Sequence, residues 1–153
     1  MRAIAAASLA VFVFGLLGPG ARGAPPSATG TWLTADGRAA VDIEACDDKL
    51  CGTIAWMKVP LNEQGKPKTD IHNSDETQHA RPLCGLRLLW GFSPEGGGAW
   101  SGGQIYDPAT GDSYSSNFHV QPDGTLLLRG YLGISLFGKS QVWTRPAAQL
   151  AHC

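Results

Sequence analysis

The sequence predicts an all-β protein, a single antiparallel up-and-down barrel of eight strands. Short segments that alternate apolar and polar residues follow one another along the chain, and nearly all of them are joined by turns of hairpin length. Gly30-Thr31-Trp32 opens the first segment and Arg145 ends the last, so an arginine is available to cap a tryptophan ring where the two ends of a closed sheet meet. A two-sheet sandwich is the main alternative, but its long cross-connections could come from only one segment of this chain.

The first three strands are predicted to form a meander. Residues 31–34 lead into the hairpin turn Ala35-Asp36-Gly37, and residues 38–45 follow as the second strand. That strand places four apolar side chains on one face: Ala39, Val41, Ile43 and Ala45. Residues 51–57 form the third strand, with Ile54 and Trp56 on one side.

One long polar loop, residues 58–82, interrupts the strand pattern between strands 3 and 4. It contains Pro60, Gly65, Pro67 and Pro82 and shows no sustained helical periodicity. Loops of this length inside compact domains are often lids or binding loops. We favour the simpler interpretation, a surface excursion with a helical turn around residues 74–79.

Five further strands follow the loop, at residues 86–92, 100–106, 114–121, 126–132 and 139–145. Turn signals such as Asp107-Pro108-Ala109-Thr110-Gly111 and Pro122-Asp123-Gly124 separate them. Strict alternation along these strands brings a set of aromatic side chains to the barrel interior together with Trp56: Trp90, Trp100, Tyr106, Tyr114 and Phe118.

Arg129 has two possible positions in the seventh strand. It shares a face with Tyr131, whereas Leu126, Leu128 and Leu132 occupy the other face. If the leucines point outward, Arg129 is buried beside Tyr131 and could anchor a carboxylate. If they point inward, Arg129 is a surface residue, which is energetically cheaper because an unpaired buried charge is costly.

The N-terminus has the pattern of a cleaved secretory signal peptide over residues 1–23. Arg2 precedes an apolar run over residues 4–17, and small residues follow the break at Gly18-Pro19-Gly20. The apolar run is shorter than the roughly 20 residues that a membrane-spanning helix needs. We therefore expect a periplasmic or secreted protein without a membrane anchor, with a barrel domain at residues 30–146 and a C-terminal tail at residues 147–153.

The charge of the mature chain argues against nucleic-acid binding. Signal cleavage removes two of the twelve basic residues, Arg2 and Arg22, and none of the thirteen acids, which leaves a formal charge of −3. The remaining basic residues are scattered, whereas phosphate contacts require clustered Lys and Arg.

The four cysteines predict one disulfide in an oxidising compartment and leave a second pairing open. Cys46 and Cys51 flank a hairpin tip, where a bridge would pin the turn. With an even cysteine count, pairing of Cys84 with Cys153 is the default for the other two, but the sequence does not test the distance between them. A zinc site is the alternative for the first pair, but two thiols fall short of its usual four ligands. We expect no bound metal.

No combination of residues identifies a reaction. The four histidines, His72, His79, His119 and His152, have no metal-binding or catalytic-triad spacing. We therefore predict no catalytic residues and no cofactor. An enzyme acting at the barrel mouth is retained as an alternative, with Asp107 and Tyr106 as its acid and donor.

Several motifs, in order along the chain, carry a resemblance to a known family. They are Gly30-Thr31-Trp32, Cys46-x4-Cys51-Gly52, residues 65–70 and 81–83, Trp100-Ser101-Gly102-Gly103-x-Ile105-Tyr106-Asp107-Pro108, Gly130-Tyr131-x-Gly133 and Trp143-Thr144-Arg145. Together they resemble a family of small exported bacterial proteins, domain of unknown function 2147, across Gly30 to Arg145. The resemblance implies no established activity.

A second resemblance rests on Gly30-Thr31-Trp32 together with Arg145. This pair is similar to the signature of lipocalin-like (calycin) barrels, in which an arginine from the last strand packs across the tryptophan of the first. It implies that Trp32 and Arg145 close the barrel and, by analogy, that the fold binds small apolar ligands.

The expected function is therefore binding of a small, largely apolar ligand without catalysis. The candidate ligand-binding residues are Trp56, Trp90, Trp100, Tyr106, Tyr114, Phe118, Arg129 and Tyr131. The alternative for the aromatic residues is that they only fill the barrel. An envelope interaction or stress-response module that uses the 58–82 loop to bind an unknown partner protein is a further alternative.

Overall fold

Eight strands account for most of the regular structure in the computed structural model, which describes residues 27–134, 136 and 138–153. They are β1 Gly30–Leu33, β2 Ala39–Cys46, β3 Lys49–Met57, β4 Arg87–Gly96, β5 Ala99–Asp107, β6 Asp112–Val120, β7 Leu126–Tyr131 and β8 Gly138–Trp143. The signal peptide predicted at residues 1–23 lies outside the described residues. No helix among the described residues is long and apolar enough to cross a membrane.

The strands form one antiparallel sheet in sequence order, β1 to β8, with every strand paired to the next. The sheet curls until its ends meet at one bridge between Leu33 and Thr144, where each backbone N–H donates to the other residue's carbonyl oxygen, at 2.8 and 3.1 Å. The predicted all-β, eight-stranded, lipocalin-like fold is therefore confirmed. Curling brings the two sheet edges together at this point, which limits the exposed edge available for aggregation.

The core lies on the concave face of the sheet. Its largest fully buried side chains are Trp32, Trp143, Phe92, Leu89, Leu126 and Leu128. Two glycines permit close packing here, because a Cβ atom at Gly103 would overlap the ring of Phe92 and one at Gly52 would crowd Leu89.

Irregularities in β3, β4 and β5 change which residues face this core. Register shifts occur beside Trp56 in β3, around Leu89 in β4 and between Trp100 and Gly103 in β5, and Gly91 and Gly102 have φ angles of 81° and 70°. A β-bulge adds one residue to a strand and so reverses the alternation beyond it.

The predicted inward orientation of Trp56, Trp90 and Tyr106 is wrong for this reason. Trp56 pairs with Ala40, next to the inward Val41, so it lies on the outer face. Leu89 and Phe92 are both fully buried, whereas Trp90 between them is 36% exposed. Ile105 packs beside the inward Gly130 and therefore faces inward itself. Tyr106 is the next residue in β5, so it lies on the outer face.

The long segment between β3 and β4 packs against the sheet. It contains a 3₁₀ turn at Glu76–Gln78 and is braced by isolated bridges between Leu61 and Pro67 and between Thr69 and Pro82. Its contact with the β5–β6 turn is so close that Gly111 has no room for a Cβ atom beside the carbonyl group of His72.

Two disulfides hold the β2–β3 hairpin and the C-terminal tail. Cys46 and Cys51 bridge the β2–β3 hairpin with Cα atoms 5.8 Å apart, and Cys84 and Cys153 join the loop to the tail with Cα atoms 6.1 Å apart. The Cys153 N–H also donates to the carbonyl oxygen of Ala55 at 2.9 Å, so the tail is held against β3.

Candidate functional site

One end of the barrel is closed by Trp32 and Arg145. The guanidinium carbon of Arg145 lies 3.7 Å from the centroid of the Trp32 ring. Arg145 also donates to the carbonyl oxygens of Ser27, Thr29 and Thr31, at 2.8, 2.9 and 3.1 Å. The indole N–H of Trp32 donates to the carbonyl oxygen of Ala28 at 2.8 Å. These contacts pack Arg145 across the ring of Trp32 and hold it against the segment that leads into β1.

The opposite end of the barrel is its mouth. The connections β1–β2, β3–β4, β5–β6 and β7–β8 all lie at this end. Its inward apolar and aromatic side chains, Ala39, Met57, Ile105 and Tyr114, are all partly exposed, and the register places one inward cation, Lys139, opposite Gly130. Between them Gly130 has no side chain, and a Cβ atom there would lie 3.4 Å from Ile105 Cγ2 and 3.6 Å from Tyr114 Cβ. The mouth therefore presents apolar surface that the described residues leave partly exposed.

A buried carboxylate, Asp70, fixes the long loop to the outer face of the sheet. The Tyr106 hydroxyl donates to Asp70 Oδ1 at 2.7 Å. Arg81 donates to Asp70 Oδ2 from Nε at 2.8 Å and lies 2.7 Å from it through Nη2. Asn73 Nδ2 donates both to Asp70 Oδ2 and to the Tyr106 hydroxyl, each at 2.9 Å. Asp70 is 0% exposed, so these bonds replace water around its charge.

Contacts within this cluster of Asp70, Asn73, Arg81 and Tyr106 shift the pKa values of Asp70 and Tyr106. Burial opposes the charge on Asp70, but hydrogen bonds from Tyr106, Asn73 and Arg81, together with the Arg81 charge, prevail and lower the pKa of Asp70. Burial and the hydrogen bond to Asp70 raise the pKa of Tyr106. The cluster is therefore a carboxylate with a neutral phenol and a cation around it at neutral pH.

A polar cavity of about 240 Å³ lies beside this cluster. Its floor is the outer face of β4 to β6, and its wall is the long loop. The lining residues are Asn73, Ser74, Arg81, Arg87, Trp90, Tyr106, Gly111 and Ser113.

A more apolar groove of about 300 Å³ crosses the other half of the sheet. It is lined by Glu95, Ala99, Trp100, Ser101, Asn117, Phe118, His119, Leu127, Arg129 and Ser140. Leu126 and Leu128 are buried, so Arg129 lies on the outer face, where it donates to Ser140 Oγ and to the Leu136 carbonyl oxygen. Trp100 stacks on Phe118 with ring centroids 6.1 Å apart.

The predicted ligand-binding residues are thus divided among separate places. Tyr114 lies at the mouth, Trp90 and Tyr106 line the polar cavity, and Trp100, Phe118 and Arg129 line the groove. Trp56 and Tyr131 line neither cavity. Sequence reasoning missed Asp70, Arg81 and Arg87, because Asp70 and Tyr106 are 36 residues apart and only the fold brings them together.

The side chains considered for acid and donor roles in catalysis form hydrogen bonds within the protein. Asp107 Oδ1 accepts from the Ala109 N–H at 2.9 Å, while Tyr106 is bound to Asp70. Among the described residues, the ligand atoms of Glu44, Cys46 and Cys51 lie within 4.8 Å of one another. The disulfide between the two cysteines, however, leaves only one carboxylate there to hold a metal.

Comparison with known proteins agrees with this architecture. No curated protein is significantly similar to the chain in sequence. A solved structure that is similar is protein HP1028 from Helicobacter pylori, described as belonging to the lipocalin family. The two share 18% sequence identity with a TM-score of 0.69, over 79% of this chain and 84% of that one. The family described as "Uncharacterized protein conserved in bacteria (DUF2147)" matches residues 30–145, so the chain belongs to this family and has a lipocalin-like fold.

Proposed function

We propose that this protein is an exported bacterial binding protein that takes up a small, largely apolar molecule at the barrel mouth without transforming it. Export is supported by the signal-peptide pattern of residues 1–23 and by two disulfides, which persist in oxidising compartments.

The observation that carries the proposal is the difference between the two ends of the barrel. At the closed end Trp32, Phe92, Leu126 and Trp143 fill the interior and are 0–2% exposed. At the mouth the inward Met57, Ile105 and Tyr114 remain partly exposed. An apolar ligand at the mouth would remove this surface from water, which contributes roughly 25 cal/mol for each Å² buried.

Gly130 offers a direct test of this site. It does not have a left-handed φ, and a Cβ atom there would make only ordinary contacts, so Gly130→Leu is expected to fold while its side chain fills the mouth. Binding of the apolar fluorescent probe N-phenyl-1-naphthylamine should then weaken at least about tenfold. The matched control is Ser115→Leu on the outer face of β6, which should bind the probe normally.

Native mass spectrometry of protein purified from its own periplasm provides a second readout. We expect a bound small molecule that dissociates on denaturation and is absent from Gly130→Leu. A protein that is consistently ligand-free, or a probe that binds equally to the wild type and to Gly130→Leu, would refute the proposal.

Partner binding through the 58–82 loop is a second candidate, favoured by three exposed apolar side chains. Val59, Leu61 and Ile71 are 57%, 47% and 60% exposed. A photoreactive residue at position 71 should form one discrete cross-link in intact cells, whereas the same residue at the exposed Lys49 should not. Equal labelling at both positions would exclude a specific partner.

A further inference from the structure

We propose that the polar cavity is a second binding site, which takes a small organic anion with a carboxylate or phosphate group and a planar body. The site is separate from the mouth, because Arg87, Trp90 and Ser113 lie on the outer face of the sheet. The proposal does not depend on the function proposed for the mouth.

Two arginines supply the charge that such an anion needs. Arg81 is oriented by Asp70 through Nε and Nη2 and donates from Nη1 to Gln78 Oε1 at 3.4 Å, which leaves one N–H on each terminal nitrogen for an anion in the cavity. Arg87 forms no ion pair or side-chain hydrogen bond with the described residues, and none of the lining residues is acidic. Because Asp70 balances only one of the two cations, the cavity carries an excess positive charge.

The rigidity of Arg81 is important for affinity. Asp70 is fully buried and Asn73 braces both it and Tyr106, so the guanidinium group is held in place before a ligand arrives. Arg81 also lies over the Tyr106 ring, 5.5 Å from its centroid. A preorganised donor loses little conformational entropy when it binds an oxyanion, and guanidinium groups match carboxylate and phosphate oxygens in pairs.

Trp90 favours a ligand with a planar body. It is 36% exposed, although a tryptophan ring is usually more deeply buried, and it shares the cavity with Arg87. An exposed indole beside a cation fits a ligand with a flat, unsaturated body joined to an anionic group. The hydroxyl groups of Ser74 and Ser113 add donors for the same oxygens. A cavity of about 240 Å³ holds a molecule with a single ring.

Benzoate and phenyl phosphate are suitable probes, with inorganic phosphate and cyclohexanecarboxylate for comparison. In spectra of ¹⁵N-labelled protein, at least one of the two aromatic anions should cause saturable shifts of the Trp90 indole N–H and the Gly111 and Ser113 amides. Whether the carboxylate or the phosphate binds more tightly identifies the anionic group. The non-aromatic anions should bind more weakly because they cannot stack on Trp90.

Arg87→Gln should weaken binding of the preferred anion about tenfold, the loss expected for one charge-assisted contact. Arg38→Gln is the matched control, since Arg38 is an 83% exposed arginine in the β1–β2 turn. Gly130→Leu should bind the anion normally, which separates this site from the mouth. Non-saturating shifts with both aromatic anions, equal losses in Arg87→Gln and Arg38→Gln, or equal affinity for the preferred aromatic anion and its non-aromatic counterpart would overturn the proposal.

Discussion

At the residue scale, the contact between Tyr106 and Asp70 shows how one polar pair positions a loop of nearly thirty residues. The hydroxyl of Tyr106 comes from the sheet, and the carboxylate of Asp70 comes from the loop. Both are buried, so neither can exchange its partner for water without opening the structure. The pair therefore links the position of the loop to the stability of β5.

Tyr106→Phe tests this link. The substitution keeps the ring but removes one donor from a buried carboxylate, so we expect the free energy of unfolding to fall by about 1–3 kcal/mol in urea denaturation. Tyr114→Phe is the control, since its hydroxyl is exposed and lies 3.4 Å from Asp112, and it should change stability by less than about 0.5 kcal/mol. Equal effects would show that the Tyr106 hydroxyl does not anchor the loop.

Gly30 is the second residue whose identity follows from its surroundings. Its φ is 103°, and a Cβ atom would lie 2.9 Å from Arg145 Nη1. Gly30→Ala should therefore displace Arg145 from Trp32 as well as strain the backbone. Gly37 also has a positive φ, 65°, but no atom lies within 4 Å of a Cβ there.

We expect Gly37→Ala to cost about 1 kcal/mol through backbone strain, and Gly30→Ala to cost at least about 1 kcal/mol more. Urea denaturation measures both losses, and the near-ultraviolet circular dichroism of Trp32 should change only in Gly30→Ala. Identical losses and unchanged spectra would show that Arg145 tolerates the added methyl group.

At the element scale, the sequence was sufficient to predict the strands but not the side that each aromatic residue faces. The alternation of β6 and β7 is regular. Phe118 is buried on the inner face, as the alternation predicts, and Leu126 and Leu128 adopt the inward one of the two orientations left open for them. In β3, β4 and β5 an extra residue reverses the alternation of inward and outward side chains, so Trp56, Trp90 and Tyr106 lie on the outer face. Gly91 and Gly102 are compatible with such bulges, but a glycine in a strand does not by itself specify one.

The candidate sites were less predictable than the fold, for a related reason. Arg81, Arg87 and Trp90 form one cavity only because the loop folds back over the strand that follows it. The spacing of these residues along the sequence does not predict that contact. The tryptophan and arginine at the closed end were predictable because the first and last strands of an up-and-down barrel must meet.

The two disulfides also act at the scale of elements, and they should contribute unequally. Cys84 and Cys153 are 69 residues apart in sequence, whereas Cys46 and Cys51 are 5 apart. On the chain-entropy estimate, closing the longer loop stabilises the folded protein by roughly 4 kcal/mol and closing the shorter one by roughly 2 kcal/mol. We expect Cys84→Ser/Cys153→Ser to lower the free energy of unfolding more than Cys46→Ser/Cys51→Ser in urea denaturation. The reverse order would show that native contacts of the tail contribute little.

At the scale of the whole molecule, the side chains that pack the barrel core and those proposed to bind ligands lie in different places. Its closed end contains Trp32, Trp143 and the two ends of the sheet, whereas the mouth and the outer face carry the partly exposed side chains. Substitutions at the mouth are therefore expected to change binding more than folding. The loop is the exception, because Asp70 makes it part of the folded structure.

Acid stability follows from the carboxylates that the whole fold engages. Hydrogen bonds and Arg81 hold the pKa of Asp70 below its ordinary value of 3.8 in spite of burial, and hydrogen bonds from Thr77 and Thr125 lower the pKa of Asp75 and Asp123. A carboxylate whose pKa is lower in the folded state stabilises the fold above its unfolded pKa. Protonation then removes that contribution as the pH falls through the folded value.

We therefore expect the free energy of unfolding to stay nearly constant from about pH 7 to about pH 5 and to decline below about pH 4. Urea denaturation across this range measures the decline. Asp70→Asn should be less stable than the wild type at neutral pH, because Arg81 loses its partner, and its stability should fall less steeply in acid, because one titrating carboxylate is gone. A wild-type stability that is unchanged down to about pH 2, or an Asp70→Asn profile parallel to it, would show that Asp70 is not coupled to folding in this way.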